Sequence, residues 1–443
     1  MIVMKFGGTS VGGSKEIRRV AEIVRARLHQ KPAVVASAMS GITNRLFKIG
    51  DLALGRSPWQ AEYDGIASKH RDVLRDLELP LDLMDRELSE LHDLVRGIEL
   101  LHELTLRTRD YLASFGERMS VRIIAGHFNR VGIPAKAFDS FDVGLVTDAH
   151  FGGARPLPEA DELIRQSLAK ESVTPVITGY IGKSKTGDIT TLGRGGSDYS
   201  GSIFGAALDA EEIQIWTDVD GVMTADPRIV PNARFLPVLS FTEASELAFY
   251  GAKVIHPATM IPAVKKGIPI RVVNSYRPEF EGTLIVSSLK SAELGVKSIT
   301  SKDNIAVVNI IAAPMLNQYG FMARIGDVFA RNEVVIDMIA TSEVSVSMTT
   351  DARVNLDPVV AELSRFANVT VDRGVSIISI VGEEIRDRIG FAAEVFQVIA
   401  RAGINLEMIS FGANRINLSF LVRQERAKEV VVLLHQHLFG SGK

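Results

Sequence analysis

Ile2-Val3-Met4-Lys5-Phe6 followed by Gly7-Gly8-Thr9-Ser10 reads as a short apolar strand closed by a glycine turn, and Ile17, Val20, Ile23 and Val24 beyond it recur at helical spacing. A strand, a glycine turn and a helix in that order open a parallel α/β sheet. Glycines at the turn let backbone N–H groups approach an anion, and a helix start just behind them adds a dipole that favours phosphate. Lys5 stands where its ammonium can meet a phosphoryl group in transfer. The turn is not a Walker A loop, because Gly8 and Gly13 are followed by Ser14-Lys15, the reverse of the order that motif requires.

Outward from this unit the same rhythm continues. Ala33–Ala36, Ala135–Phe138, Pro175–Thr178, Ile213–Trp216 and Ile270–Val273 are further short apolar runs with amphipathic segments between them. Residues 1–285 therefore read as one α/β domain, a mainly parallel sheet with helices on both faces. A long helical stretch, roughly Leu79 to Ala125, interrupts the alternation; its Leu88, Leu91, Leu94, Val95, Ile98 and Leu101 recur at three and four residues and read as core packing rather than a zipper.

Asn274–Lys302, with Pro278, Gly282, Gly295 and many Ser and Lys residues, breaks the periodicity and marks a boundary. The tail beyond it is an internal repeat. At an offset of 70, Gly320/Gly390, Phe321/Phe391, Ala323/Ala393, Ala330/Ala400, Arg331/Arg401, Met338/Met408 and Ile339/Ile409 are identical. Each copy, 300–374 and 375–443, reads strand, glycine-led helix, strand, strand, helix. A small sheet with helices on one face leaves an edge to be paired, so the copies are expected to associate, with strands interleaved between them or between chains, and to form clefts for a small ligand.

Composition narrows the function classes. The chain has 443 residues, beyond the size at which single cores stop growing, so two or three domains are expected. Its 53 acidic and 50 basic side chains leave a net charge of −3, which gives no field for collecting polyanions and argues against nucleic acid. The absence of cysteine excludes disulfides, thiolate nucleophiles and cysteine-held metals, and suits a cytoplasmic setting. The longest apolar run, Ile305–Leu316, contains Asn309 and Pro314 and is too short to span a bilayer.

Three further clusters carry chemistry. In Thr190–Ser200, glycines bracket Arg194 and lead to Ser197 and Asp198 at the start of an apolar helix; a guanidinium in such a loop suits carboxylate or phosphate better than packing. Trp216–Val222 with Asp226-Pro227-Arg228 follows a strand end, where ligands bind in open α/β sheets. Its aspartates lack the glycine and glutamate positions of a calcium loop. Gly251–Pro257 adds Lys253 beside glycine. The nine histidines show no zinc-site spacing, so no protein-only metal site is expected.

Lys5–Val11 (KFGGTSV), Ser114–Ser120 (SFGERMS), Thr190–Ser200 (TTLGRGGSDYS), Trp216–Val219 (WTDV), Asp226-Pro227-Arg228 and Gly251–Pro257 (GAKVIHP), in that order, resemble the aspartate kinases over essentially the whole chain, and the repeated tail resembles their tandem ACT domains. The resemblance implies an amino-acid kinase sandwich, a three-layer αβα arrangement, followed by two ferredoxin-like ACT domains. It implies transfer of the γ-phosphoryl of MgATP to the β-carboxylate of L-aspartate, with magnesium brought by the nucleotide. Lys5 and Asp198 would then be catalytic, with Glu117 on the α-ammonium, Arg194 and Ser197 on the α-carboxylate, and Thr43 near the β-carboxylate. Lys5, Gly7, Gly8, Thr9, Thr217, Asp218, Met223, Arg228, Lys253 and Val254 would take ATP, Met223 standing where the family carries tyrosine. Met315, Gln318, Gly320, Phe321, Asp337, Thr341, Ser342 and Glu343 match the positions at which lysine-sensitive members hold their inhibitor, so lysine is expected over threonine. A homodimer through the ACT domains, or a tetramer, is implied as well.

Two other readings compete. Another kinase of the same fold, acting on acetylglutamate, glutamate or uridylate, is disfavoured by the long helical insertion and the repeated tail. A sensor with a dead kinase half is disfavoured by the presence of Lys5, Glu117, Arg194 and Asp198 together. A fusion to homoserine dehydrogenase is not expected at this length.

Overall fold

β1 (Ile2–Phe6) is the strand from which the main sheet grows in both directions, since Val3–Phe6 pair in parallel with Ala33–Ala36 on one side and Ile2–Phe6 with Glu212–Trp216 on the other. The computed structural model describes residues 1–250, 255–290, 294–312, 319–411 and 416–440. These form two compact units, one of Met1–Val222, Pro237–Phe241 and Val254–Ser288, the other of Met223–Leu236, Thr242–Lys253 and Leu289–Lys443.

In the first unit the strands after β1 are β2 (Ala33–Ala36), β3 (Ala135–Phe138), β4 (Val146–Thr147), β5 (Thr174–Thr178), β6 (Ile181–Ser184), β7 (Ile189–Thr191), β8 (Glu212–Thr217), β9 (Val238–Ser240), β10 (Ile270–Asn274) and β11 (Thr283–Val286). Seven of them join β1 in one sheet in the order β3-β5-β2-β1-β8-β10-β11-β9, parallel except at β10–β11, and β4-β6-β7 make a second, smaller one. Helices α1 (Ser14–Arg25), α2 (Ile42–Leu54), α3 (Gln60–Asp76), α4 (Asp85–Leu101) and α5 (Leu106–Arg130) bury one face of the main sheet, contributing to a core with Met4, Phe6, Val34, Ala36 and Trp216. Lys5 and Ile215, the alternate residues, face α7 (Gly196–Ala207) on the opposite side, where Gly201 lets the helix lie against the Lys5 stem. α6 (Ala160–Leu168) and α9 (Pro257–Lys266) flank α7. Phe6 and Trp216 stack with ring centroids 5.8 Å apart across the β1–β8 pair, and both rings are fully buried.

The single helical stretch expected from Leu79 to Ala125 is two helices, α4 and α5. His102 takes a left-handed conformation at φ 56° and caps α4, and the Thr105 hydroxyl accepts the Thr108 N–H to start α5, so the chain turns back where the leucine spacing alone would carry it on. Leu88, Leu91, Val95 and Ile98 are core residues as expected, whereas Leu101, at the turn, is 72% exposed.

The second unit holds α8 (Phe241–Phe249) apart from its first residue, and then β12 (Ser298–Ile311), α10 (Phe321–Arg331), β13 (Ile339–Thr341), β14 (Ser345–Asp351), α11 (Asp357–Leu363), β15 (Asn368–Val381), α12 (Phe391–Arg401), β16 (Met408–Ser410), β17 (Asn417–Arg423) and α13 (Ala427–Phe439). Each copy runs strand, helix, strand, strand, helix, and Gly320 and Gly390 cap α10 and α12 with φ 78° and 80°. The copies share one antiparallel sheet, β13-β14-β12-β15-β17-β16. Its central strands exchange halves: Ile305–Ile311 of β12 lie between β14 and β15, while Ser298–Lys302 extend the pairing of β15 beside β17. The register shifts at the seam, between Lys302 and Ile305, where Asn304 has φ 59°.

Gly282 enters β11 at φ 69°, and a Cβ there would collide with the Val272 carbonyl oxygen of β10. Gly282→Ala should therefore lower stability by about 2–4 kcal/mol, read as a fall in thermal midpoint; an unchanged midpoint would show that this hairpin tolerates rearrangement.

Candidate active site

The carboxyl ends of β1, β2 and β8 meet where the strand order reverses, the usual position of a ligand crevice in an open α/β sheet. A cleft of about 710 Å³ lies there, lined among others by Lys5, Gly7, Gly8, Thr9, Thr43, Glu117, Arg194, Ser197, Asp198 and Thr217. Ten of the residues singled out from the sequence, from five separate stretches of chain, thus converge.

Lys5 is 7% exposed, and its Nζ lies 2.6 Å from Asp198 Oδ1. β1 points the lysine toward α7, and Asp198 stands in the first turn of that helix, one turn before Gly201. A buried ammonium needs such a counter-charge, and a carboxylate near a helix start is favoured by the helix dipole.

Glu117 comes from the middle of α5. Gly116 allows the helix to press on the segment after β2, since a Cβ there would sit 2.7 Å from the Ala38 Cβ. Glu117 Oε1 accepts the Ala38 N–H at 3.2 Å, while Oε2 is buried with no hydrogen-bond partner. With the side chain wholly inside and no cation beside it, desolvation pushes its carboxyl up to about 8.

Arg194 is set between Gly193 and Gly195, at φ 75° and 71°, in the loop before α7. It is exposed, and its guanidinium has no partner among the described residues. The cleft therefore contains one ion pair, one buried unpaired carboxyl and one unpaired guanidinium.

The glycine turn differs from its expected form. Gly7 donates its N–H to the Trp216 carbonyl at 3.1 Å, so that group is taken. Gly8–Val11 form a short 3-10 turn, and α1 begins only at Ser14, whose hydroxyl donates to Asp76 of α3 at 2.9 Å. The dipole expected from α1 is thus not at the cleft. What remains for an anion are the first N–H groups of the 3-10 turn, those of Gly8 and Thr9.

Thr217 ends β8, and its carbonyl accepts both the N–H and the hydroxyl of Ser275, at 2.8 and 3.0 Å. Asp218 is exposed and accepts the Thr217 hydroxyl. Met223 and Arg228 belong to the second unit, where the Arg228 guanidinium is engaged by Asp226 at 2.6 Å. Lys253 and Val254 lie outside the described residues, as do Met315 and Gln318.

Of the expected effector residues, Gly320 caps α10, Phe321 is buried in its first turn, Thr341 ends β13, Glu343 is exposed, and Ser342 and Ser345 hydrogen-bond through their hydroxyls at 2.7 Å. The Asp337 carboxylate is 4% exposed and bound at 2.7 Å by Lys302, a partner the sequence did not suggest. The sequence reading also missed Tyr180 and Asp110. Tyr180 lines the cleft at φ 67°, a conformation a tyrosine holds only when its surroundings impose it; its N–H donates to Ser200. Asp110 accepts the Thr191 N–H and hydroxyl and the Gly152 N–H, fixing the strand that leads to Arg194. Asp110 follows Arg107-Thr108-Arg109, and nothing in that polar stretch set it apart in the sequence.

A fold of this kind, with a lysine-led glycine turn and a charged cleft at the ends of parallel strands, defines an amino-acid kinase; the model of the amino acid kinase family matches residues 1–274, and an ACT domain model matches 378–438. Aspartokinase 2 of Arabidopsis thaliana, a chloroplastic protein, is 40% identical over 99% of this chain and 84% of its own length. The structure of Escherichia coli aspartokinase III in complex with aspartate and ADP, in the R-state, superposes with a TM-score of 0.85 at 33% identity, covering 99% of this chain and 100% of that one. The same enzyme in complex with lysine and aspartate, in the T-state, gives 0.82 at 33% identity, covering 99% of each. The chain belongs to the aspartokinase family.

Glu117 carries a stability consequence. A carboxyl near 8 in the folded chain and near 4.5 when unfolded favours the fold below pH 4.5 and loses that contribution as pH rises toward 8. At pH 7 the loss amounts to roughly 3 kcal/mol. Glu117→Gln should thus be more stable than the natural protein at pH 7, with the difference closing near pH 5. Equal midpoints at both pH values would mean that Glu117 is not held uncompensated.

Proposed function

We propose that the chain transfers the γ-phosphoryl group of ATP to the β-carboxylate of L-aspartate, giving 4-phospho-L-aspartate and ADP, under feedback by lysine. The observation that carries this reading is the charge left over in the cleft. Lys5 and Asp198 neutralise each other, and the remaining ionisable pair, Glu117 and Arg194, matches the α-ammonium and α-carboxylate of an amino acid. Aspartate's third charge, the β-carboxylate, is then presented toward Lys5.

That carboxylate, with an ordinary pKa near ~3.9, is ionised at neutral pH and needs no general base. One of its oxygens forms a bond to the γ-phosphorus as the bond to the bridging oxygen breaks, and ADP leaves with the electron pair. Lys5 stabilises the charge on the moving phosphoryl oxygens, and Asp198 holds Lys5 in place. Glu117 takes the α-ammonium, Arg194 with Ser197 the α-carboxylate, and Thr43 borders the reacting group. Gly7, Gly8, Thr9, Thr217 and Asp218, with Met223, Arg228, Lys253 and Val254, serve the nucleotide.

Magnesium, when bound, supplies charge neutralisation on the β- and γ-phosphates. Among the described residues no three His, Asp or Glu side chains cluster to hold a metal. A donor set with Asp198 already on Lys5 suits an ion held chiefly by phosphate oxygens, with Asp198 the protein group of matching chemistry.

Lysine is assigned to the first ACT copy, at Gly320, Phe321, Asp337, Thr341, Ser342 and Glu343 with Met315 and Gln318. The support is Asp337, a buried carboxylate whose Oδ2 has no hydrogen-bond partner. A homodimer through the same copy is supported by the exposed apolar side chains of Tyr319, Val335 and Ile339. The cytoplasm is the proposed compartment; among the described residues no helix is long and apolar enough to cross a membrane.

Hydroxylamine-trapped acyl phosphate should form with MgATP and L-aspartate and decline with added lysine. No hydroxamate with aspartate, but product from another acid, would replace the substrate assignment. Lys5→Ala should lower turnover by roughly 10²–10³-fold or more. Arg194→Ala should raise the aspartate KM by roughly 10–100-fold with a smaller effect on ATP; an unchanged aspartate dependence would remove Arg194 from the carboxylate.

A further inference from the structure

We infer that Lys302 is a built-in competitor of the effector: in the effector-free protein its ammonium occupies Asp337, and a ligand ammonium binds there by exchange with it. The inference rests on the assignment of the effector to the first ACT copy.

Asp337 is fixed and deep. Its N–H donates to the Thr349 carbonyl at 2.8 Å, and the next N–H, that of Met338, donates to the Thr349 hydroxyl at 2.8 Å, so the segment carrying the carboxylate is tied to β14. With its side chain 4% exposed, the carboxylate cannot turn out to water when the site is empty. A charge at that depth is strongly destabilising without a counter-ion. Lys302 Nζ supplies one at 2.7 Å, and it does so on one oxygen only, since Oδ2 has no hydrogen-bond partner.

Lys302 stands at the seam where β12 shifts register, and such an irregularity lets a side chain be re-aimed. It is 27% exposed along its side chain, and its Nζ lies 5.1 Å from the centre of the Phe249 ring. The ring face offers a displaced ammonium a second favourable position. Lysine also has the right chemistry for exchange. It is a single mobile ammonium on a flexible stem, the same group that free lysine carries at its ε-position, whereas arginine would hold a carboxylate with two parallel bonds.

In this scheme Asp337 is neutralised with or without ligand, and binding costs the movement of one side chain rather than the exposure of a buried charge. A tethered group competes as though present at about millimolar concentration or above. Lys302 therefore raises the amount of lysine needed for inhibition without itself holding the ligand.

Calorimetric titration of the full chain with L-lysine tests this. Lys302→Met should tighten lysine binding by roughly tenfold or more, and Asp337→Ala should weaken it by at least as much. Unchanged affinity in Lys302→Met, with loss in Asp337→Ala, would overturn the competitor and leave the effector site standing. Weaker binding in Lys302→Met would also overturn it, by making Lys302 a support of the ligand. Binding that survives Asp337→Ala would overturn the effector assignment and the competitor together. If Lys302→Met does not fold, Lys302→Arg provides the same decision with opposite sign: lysine should bind more weakly, and unchanged affinity would contradict the exchange.

Discussion

The active cleft depends on one buried ion pair, Lys5 with Asp198 at 2.6 Å. Neither charge is stable alone at that depth, so each fixes the other. The pair also joins two parts of the fold, the carboxyl end of the central strand and the first turn of α7. Parallel pairing on both sides of β1 holds the lysine stem rigid, and Gly201 lets the helix approach closely enough for its carboxylate to meet the ammonium. Because that pair is closed, the ionisable groups it leaves behind acquire meaning. An unpaired guanidinium and an unpaired carboxyl in one cleft are the complement of an amino acid.

Glu117 shows how the site is prepared at the expense of the fold. Burial without a cation raises its carboxyl to about 8, which disfavours its ionised form throughout the neutral range. On the proposed assignment an arriving ammonium would relieve that burden, and part of the binding free energy would be stored in the free protein as destabilisation. The left-handed Tyr180 belongs to the same category of strain kept where ligands bind. Asp337 in the second unit represents the other solution to the same problem, a buried carboxylate furnished with an internal partner.

Much of this was legible in the sequence because short-range patterns decide it. The apolar runs at Ile2, Ala33, Ala135, Pro175, Ile213 and Ile270 form strands close to where they are read, and glycines at 193, 195, 320 and 390 adopt the left-handed conformations that make them irreplaceable there. The 70-residue repeat appears as two matching sets of elements. Long-range features were hidden. Leucine spacing cannot reveal the turn at His102, because periodicity continues across it while the backbone does not. The glycine turn at Gly7 does not show that Trp216, distant in sequence, takes its N–H. Lys302 looked like one of several lysines in a linker, and only the exchange of strand halves at the seam brings it to Asp337.

Proton release on binding tests the proposal that Glu117 waits unpaired for the ammonium of the substrate. Aspartate binding should be measured calorimetrically at pH 7 in buffers of different ionisation enthalpy. A carboxyl near 8 that must ionise to hold an ammonium should expel close to one proton per site, a quantity that falls away above pH 9. Binding with no proton release at pH 7 would overturn that role, because Glu117 would then already be ionised and paired before the substrate arrives.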